Sequence, residues 1–344
     1  MAEDEVEGPS RRAFLAGAGA AGLAGVALSS VVWAAPAMAQ IPGGGGAGGT
    51  GAGLPSVLDL TLDGMPAGLL FSAEGGQATS DVVVEKVGSD HIQKKHIANV
   101  KYEDIAVQCG TGMSKAFYNW IKASFDNKFE RHSGSVRALN NRGEGTALDF
   151  TNALLTEIGM PALDAASKDA AKMTLKFKPE TTRMKATTGF SQGAKAQKQW
   201  LPSNFRLEID GIDCTKVNKI DAITVKQAFV EDPVGGLRDV TREPAYLEIP
   251  NLRVELPLGS GDTWFQWLED FVVKGNNGDD KERGGSLTYL APDNTSPLFV
   301  LTFKHLGIFK VAPDKMEAGA EGIRRVKAEM YCEQMTFDYK VGWA

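Results

Sequence analysis

The residues of this 344-residue chain that could do chemistry are few and far apart. Two adjacent carboxylates, Asp279 and Asp280, lie in the stretch GNNGDDKERGG. Weak Ca²⁺ binding is their functional alternative, but their spacing does not match an EF-hand loop. The surrounding Gly and Asn residues favour a solvated hairpin loop. The stretch RGEGTALDF is predicted to be a tight turn, because no strand and helix flank its two glycines as in a nucleotide-binding loop.

The cysteines and histidines show no metal-site or catalytic spacing. Cys109, Cys214 and Cys332 are too scattered for a disulfide framework or a CxxC site, and we predict buried free thiols. The four histidines are predicted to be surface residues rather than ligands: His91, His96, His132 and His305. No G-x-S-x-G, HExxH or Cys/His pair is visible. The sequence therefore predicts a protein without catalytic residues, metal or cofactor.

The N-terminus has the pattern of an export signal. A twin-arginine pair, Arg11 and Arg12, is followed by Phe14 and Leu15 and by an Ala/Gly-rich apolar stretch. The small-residue site Ala37-Met38-Ala39 then precedes Gln40, which predicts a cleaved Tat signal over residues 1–39. An uncleaved anchor is the alternative, but the Ala/Gly composition and the cleavage site favour removal.

A Tat signal implies a protein that folds before export and reaches the periplasm or the extracellular space. Membrane contact is expected only during export. Residues 40–56 are a Gly-dominated linker without a phosphate-binding pattern. The formal net charge is −6, and about −4 without residues 1–39, so we predict no binding of nucleic acid.

The rest of the chain contains an internal repeat. The strand patterns LDLTLDG and FRLEIDG both end in an Asp-Gly turn signal and begin at Leu58 and Phe205, 147 residues apart. YEDIAV and IPNLRV have the same separation, as do FYNWIKASFD and WFQWLEDFVV. Three pairs at one separation and in one order predict two copies of one domain.

The two aromatic segments are predicted helices. In the first copy Phe117, Ile121 and Phe125 share one helical face, with Trp120 beside it. The second copy places four apolar residues in the same way: Trp264, Trp267, Leu268 and Phe271. At this spacing the stripe is expected to pack on the sheet as core, rather than to stack on bases or sugars.

Each copy reads as antiparallel strands around one short amphipathic helix, which predicts an α+β fold that is mainly antiparallel β. We predict a first domain over 57–186, a linker over 187–203 and a second domain over 204–344. The stretch PALDAASKDA, with Asp164, Ser167, Lys168 and Asp169, reads as an exposed polar loop.

The first copy resembles a known family. From the Gly75-Gly76 pair through KHIANVKYEDIAVQCG, FYNWI, ALDF and PALDAASKDAAKMTLKFKPE, the sequence is similar to the tail tube proteins of contractile phages and related injection systems. The second copy matches in the order of its elements more than in its residues. The resemblance implies a β-sandwich or half-barrel whose sheet joins those of its neighbours, six domains closing a ring around a channel. Partners would be further copies of the chain, together with sheath or baseplate proteins. The resemblance also implies that the loop with Asp164, Ser167, Lys168 and Asp169 faces neighbouring subunits, so capping or ion pairing between subunits is the alternative to an exposed polar loop.

The sequence departs from that family in its tandem copy and in its export signal. Two copies per chain imply that a trimer supplies the six domains, as a single ring or in stacked rings. Export suggests a secreted ring or filament that reuses the fold. The alternative function is a secreted two-domain module that binds a glycan or surface ligand through the loops around Asp279 and Glu144.

Overall fold

The computed structural model describes residues 57–86, 93–189, 198, 200–233, 240–314 and 324–341. The predicted signal and Gly-rich linker, with Arg11, Arg12 and the Ala37–Gln40 site, lie outside the described residues, as does His91. In the described ranges no helix combines the length and apolar character needed to cross a membrane.

The first half of the structure contains eleven strands and one helix. They are β1 (Val57–Leu62), β2 (Met65–Leu69), β3 (Ser72–Gly75), β4 (Ala78–Lys86), β5 (Gln93–Tyr102), β6 (Ile105–Cys109), α1 (Lys115–Phe125), β7 (His132–Leu139), β8 (Glu144–Met160), β9 (Leu163–Asp164), β10 (Met173–Lys178) and β11 (Thr181–Thr188). Asp63 and Gly64 have positive φ at the β1–β2 turn, as the Asp-Gly signal predicts.

The second half contains eight strands and one helix. They are β12 (Phe205–Ile209), β13 (Lys219–Ile220), β14 (Ile223–Pro233), β15 (Val240–Glu248), β16 (Leu252–Pro257), α2 (Asp262–Leu268), β17 (Arg283–Leu290), β18 (Pro297–Pro313) and β19 (Arg325–Tyr339). A π-helical turn, Glu269–Val273, continues α2. All strand pairs are antiparallel, so the predicted mainly antiparallel β fold with one short helix per half is confirmed.

The strands of the two halves pair in the same order. In the first half β1 pairs with β7, β7 with β8, β8 with β10 and β11, and β10 with β6. In the second half β12 pairs with β17, β17 with β18, β18 with β19, and β19 with β16. The single strand β19 thus occupies the place of β10 and β11 together.

The registers of these ladders also correspond. Val136 faces Leu148 in the first half, and Leu287 faces Leu301 in the second. Irregularities recur at matching places: the β4–β5 ladder shifts between Ser80 and Val82, and the β14–β15 ladder between Gln227 and Phe229. Residues in these matching ladders and in the two helices therefore have counterparts in the other half, meaning the residue at the matching ladder or helix position.

The long strands β8 and β18 each bend at one residue in the left-handed region. Asn152 has φ 47° and its counterpart His305 has φ 57°. The N-terminal part of β8 pairs with β7 and β11, and its C-terminal part with β10 and β14. The bend at Asn152 thus lies where β8 changes its strand partners on both sides.

Both helices bury their aromatic stripe, as predicted. Phe117, Trp120, Ile121 and Phe125 are all buried, and so are Trp264, Trp267 and Phe271, while Leu268 is half-buried. The indole N–H of Trp120 donates to the carbonyl of Glu130 at 3.0 Å, and that of Trp264 to the carbonyl of Asp213 at 3.1 Å. Ser114 caps α1 by accepting from the backbone N–H of Phe117 at 3.3 Å.

One local prediction needs correction. His132 is not a surface residue: its side chain is 17% exposed, packs edge-on against Trp120 and is paired with Asp63 at 2.5 Å. Trp200, which lies within the predicted linker 187–203, is buried, with its ring centroid 5.3 Å from those of Tyr289 and Phe299. The local sequence around Trp200 does not indicate this burial, because the contacting rings belong to β17 and β18, which are distant in the sequence.

Candidate assembly interface

The two halves are joined strand to strand, along the C-terminal part of β8. Antiparallel pairs connect Met160 with Ile223, Gly159 with Thr224, Ile158 with Val225 and Glu157 with Lys226. The side chains of Ile158 and Val225 are buried. Because a sheet edge carries unsatisfied N–H and C=O groups, this pairing closes one edge of each half. We call the contact between the halves the junction; it consists of the β8–β14 pairing, the β9–β13 pairing and the packing of α1 on β19.

A second, shorter ladder crosses between the halves. β9 pairs with β13, and Asp164 forms an ion pair with Lys219 at 3.1 Å. Backbone donation from Ala166 and then the Lys219 ammonium hold the pKa of Asp164 below its ordinary value. Of the predicted polar loop, Asp164 therefore makes a contact between the halves of one chain, whereas Lys168 and Asp169 lie in the exposed loop beyond it.

Helix α1 also packs across the junction. The ring of Phe125 stacks on Phe337 of β19, with centroids 5.8 Å apart and an interplanar angle of 20°. The ring of Tyr118 stacks on Tyr339 at 5.1 Å and 29°. Phe125, Tyr118 and Phe337 are all buried, so the stripe predicted to face its own sheet is shared with the sheet of the other half.

Polar contacts surround these aromatic residues. Lys122 forms an ion pair with Asp338, whose carboxylate raises the pKa of that ammonium, and the Tyr339 hydroxyl donates to Asn119 Oδ1 at 2.6 Å. Beyond α1, Arg131 is paired with Glu180 at 2.8 Å and Glu243 at 3.5 Å. The junction thus has an apolar centre and a charged rim, the usual composition of a specific protein interface.

In the second half, the sheet edge that corresponds to the paired C-terminal edge of β8 is unpaired among the described residues. The C-terminal part of β18, from Ile308 to Pro313, pairs with β19 on one side. No strand among the described residues pairs with its other side, since β17 ends its pairing at Leu306. Phe309, at the bulge in this segment, is 41% exposed.

The first half leaves open the matching edge. β4 pairs with β5 alone within the described ranges, and its start at Ala78 and Thr79 is the counterpart of Val225 and Lys226 in β14. Ala78 is exposed, whereas its counterpart Val225 is buried by β8. Each chain therefore has one occupied junction and two open edges of the same two kinds.

The residues considered for chemistry do not converge. Asp279 and Asp280 lie in an exposed 3₁₀ turn, where Asp280 pairs with Lys281 at 2.8 Å, and Glu144 begins β8 on the surface. Cys109 and Cys332 are buried free thiols, as predicted, whereas the free thiol of Cys214 is half-buried.

One group of side chains has donor atoms close enough for a metal ion. Within the described ranges these are Glu282, His305 and Glu333, with donor atoms within 4.8 Å of one another. The buried Glu282 carboxylate already accepts from the Tyr331 hydroxyl at 2.7 Å and lies 2.8 Å from Nδ1 of His305. Existing hydrogen bonds therefore account for this group.

Comparison with known proteins gives one family match. The model of the T4-like virus tail tube protein gp19 family matches residues 67–183, which confirms the resemblance predicted for the first half. No curated protein sequence matches the chain.

Several solved structures are similar over about two fifths of the chain. The tube-terminating cap of the anti-feeding prophage is 19% identical, with 41% of this chain and 97% of that chain covered and a TM-score of 0.36. The PVC sheath/tube terminator of an extracellular contractile injection system is 19% identical, covering 38% and 94%, with a TM-score of 0.33. Hcp1 from Flavobacterium johnsoniae is 17% identical, covering 39% and 99%, with a TM-score of 0.23.

Proposed function

We propose that this chain is a structural subunit that assembles with copies of itself into a ring of the tail tube type. The observation that carries the proposal is the pair of open edges, β18 and β4, which are the counterparts of the two strands that join the halves within the chain. An open edge is a liability unless another strand covers it. Each chain carries both members of the missing pair.

The junction predicts the register of the contact between chains. Ile158 faces Val225 within the chain, and their counterparts are Val311 and Ala78. We therefore expect Val311 of one chain to face Ala78 of the next, with Lys310 facing Thr79. The contact is heterologous, so it either closes as a ring or continues as a filament.

The family resemblance and the repeat together support a proposed number of chains. We propose that the matching ladders and recurring bulges reflect a tandem duplication of one tail tube domain. If six domains close a ring, as the family resemblance implies, three chains supply them. The expected particle is a trimer with pseudo-sixfold symmetry.

The long hairpins provide surfaces for stacking rings. Four apolar side chains of the β4–β5 hairpin are exposed, Val82, Val83, Val84 and Ile97, and so are Val230 and Tyr246 of the β14–β15 hairpin. Adjacent valines exposed on both faces of a hairpin favour contact with another surface. We propose that the six hairpins of a ring contact the next ring along the tube axis, and that sheath or baseplate proteins cover the outside.

Export remains part of the proposal. The Tat signal at Arg11 and Arg12 would carry a folded chain across the inner membrane, so that assembly takes place in the periplasm or outside the cell. Replacing both arginines by lysine should leave uncleaved protein in the cytoplasm of the host. Unchanged export of this variant would show that another route is used.

Negative-stain imaging with light scattering tests the assembly. The mature protein should form rings with six similar lobes and the mass of three chains, or stacks of such rings. A strict monomer at high concentration would contradict the proposal. A monomer whose melting temperature rises with added glycan would instead favour the binding-module alternative.

A further inference from the structure

The face formed by α2 and the π-helical turn that continues it is more exposed than its counterpart on α1. Phe265 is the counterpart of Tyr118 and is half-buried instead of fully buried. Val272 is the counterpart of Phe125 and is 46% exposed instead of 5%. The face of α1 that docks at the junction therefore has an equivalent on α2 that remains open.

The surface on which that face would dock is also present and open. Phe337 and Asp338 of β19 have Met184 and Lys185 of β11 as counterparts, because β11 pairs with β8 in the register in which β19 pairs with β18. Met184 is 42% exposed, whereas Phe337 is fully buried under α1.

We propose that α2 and its π-helical turn dock on β11 of the next chain in the ring, and that an ion pair between Glu269 of that turn and Lys185 selects this contact. The inference rests on the proposed ring and adds to it the residues that choose the partner surface. We call this contact between chains the seam.

The helix and the strand carry opposite charges at the junction and at the seam. At the junction the helix supplies the cation Lys122 and the strand supplies the anion Asp338. At the seam the helix supplies the anion Glu269 and the strand supplies the cation Lys185. Glu269 has no ion-pair partner in the part of the chain that the structure describes, and Lys185 is paired with Asp149 at 2.5 Å on its own surface. An ammonium group can bind a second carboxylate.

Reversed charges make the wrong contacts unfavourable. If α1 of one chain docked on β11 of another, Lys122 would face Lys185, and if α2 docked on β19, Glu269 would face Asp338. Like charges in an interface disfavour binding and so enforce specificity. The pattern therefore keeps the first and second halves alternating around a ring and rejects contacts between identical halves.

The test exchanges charges at the seam in the full chain. We expect Glu269→Lys and Lys185→Glu each to raise the concentration at which half of the protein is in rings, by about tenfold, because each creates a like-charge contact. The double variant Glu269→Lys/Lys185→Glu should assemble close to the wild-type concentration. Analytical ultracentrifugation over a dilution series measures this midpoint.

A matched control is available on the same helix. Asp262→Lys makes the same charge change at the first residue of α2, where the counterpart on α1, Lys115, is exposed. This variant should assemble like the wild type. Circular dichroism and melting temperature of all variants below the assembly concentration show whether the monomer remains folded.

The outcomes separate the seam from the ring itself. Rings that form unchanged in Glu269→Lys, or a double variant no better than the worse single variant, would overturn the proposed pair while leaving the ring intact. A wild-type chain that never forms rings would overturn the proposed function. Weakened single variants, a rescued double variant and an unaffected Asp262→Lys would support the seam.

Discussion

Truncation of Phe125 at the junction should destabilise the chain far more than truncation of its counterpart Val272. The Phe125 ring is 5% exposed and stacks on Phe337 of the other half, so Phe125→Ala removes a buried ring and leaves a cavity. Such substitutions lower the free energy of unfolding by about 3–5 kcal/mol. This is a large part of the total, since a typical protein has a free energy of unfolding of about 5–15 kcal/mol. Val272→Ala removes a side chain that is 46% exposed, and should cost about 0.5 kcal/mol in the isolated chain.

Urea unfolding followed by tryptophan fluorescence measures both losses. The protein is held below its assembly concentration, so that the seam does not contribute. Phe125→Leu is the control, because it keeps an apolar side chain of similar size and should cost less than about 1.5 kcal/mol. The denaturant slope should stay the same if the folded and unfolded states are unchanged.

Two results would refute the reasoning. A loss below about 1 kcal/mol for Phe125→Ala would mean that α1 is not docked on β19. An equally large loss for Val272→Ala in the monomer would mean that α2 is already covered within the chain. In rings, Val272→Ala should by contrast weaken assembly, since that residue lies at the proposed seam.

Three further predictions concern local chemistry. Burial raises the pKa of Cys214 and Cys332 to about 11, and burial also raises that of Cys109. A thiol reagent at pH 8 should therefore react slowly with the native chain, first at Cys214, and with all three thiols in urea; rapid native reaction of Cys109 would contradict its burial. Hydrogen bonds to Asp293 from the Ser296 hydroxyl, then from the backbone of Ser296 and Thr295, lower its pKa from 3.8 to about 2. The turn's contribution to stability is thus present above pH 3.8 and lost as the pH falls towards 2, which NMR titration of Asp293 should show; a midpoint near 3.8 would count against it. Gly134→Ala places a Cβ 2.0 Å from the Thr61 carbonyl oxygen, and should cost about 1–3 kcal/mol in urea unfolding, more than Gly285→Ala, whose Cβ would lie 2.7 Å from the Glu208 carbonyl oxygen. Equal losses at the two glycines would show that the strands adjust.

The sequence predicted the strands and helices that carry a local signal. Alternating runs such as LDLTLDG and PLFVLTFKHLGI are strands in the structure, and the aromatic stripes of FYNWIKASFD and WFQWLEDFVV are helical. The separation of 147 residues can be detected in the sequence because the turn signals and helices fall at matching positions in both halves. It drifts after the helices because the loops before β7 and β17 differ in length.

Contacts between the halves could not be read in the same way. The β8–β14 ladder joins residues more than sixty positions apart, and an alternating strand does not reveal which partner covers it. The stripe of α1 was correctly assigned to the core, but the pattern did not indicate that Phe125 and Tyr118 face β19 of the other half. The sequence does not predict the bends at Asn152 and His305, because neither residue is directly flanked by a Gly or Pro turn signal that would mark a positive φ within the strand.

Engineered disulfides give the most direct test of the central claim, that the open β18 edge pairs with the open β4 edge of another chain. Val311→Cys and Ala78→Cys are expected to face each other between chains, at the Cα separation of about 4.5–5.5 Å that antiparallel partners have, which suits a disulfide. Thr79→Cys, which points to the opposite sheet face, is the matched control with Val311→Cys.

This pairing predicts that mild oxidation of the Val311→Cys/Ala78→Cys chain yields covalent dimers and trimers, ending at a closed trimer, and that the Thr79→Cys control stays monomeric on a denaturing gel. Failure of the paired cysteines to link different chains, or equal linking in the control, would contradict it.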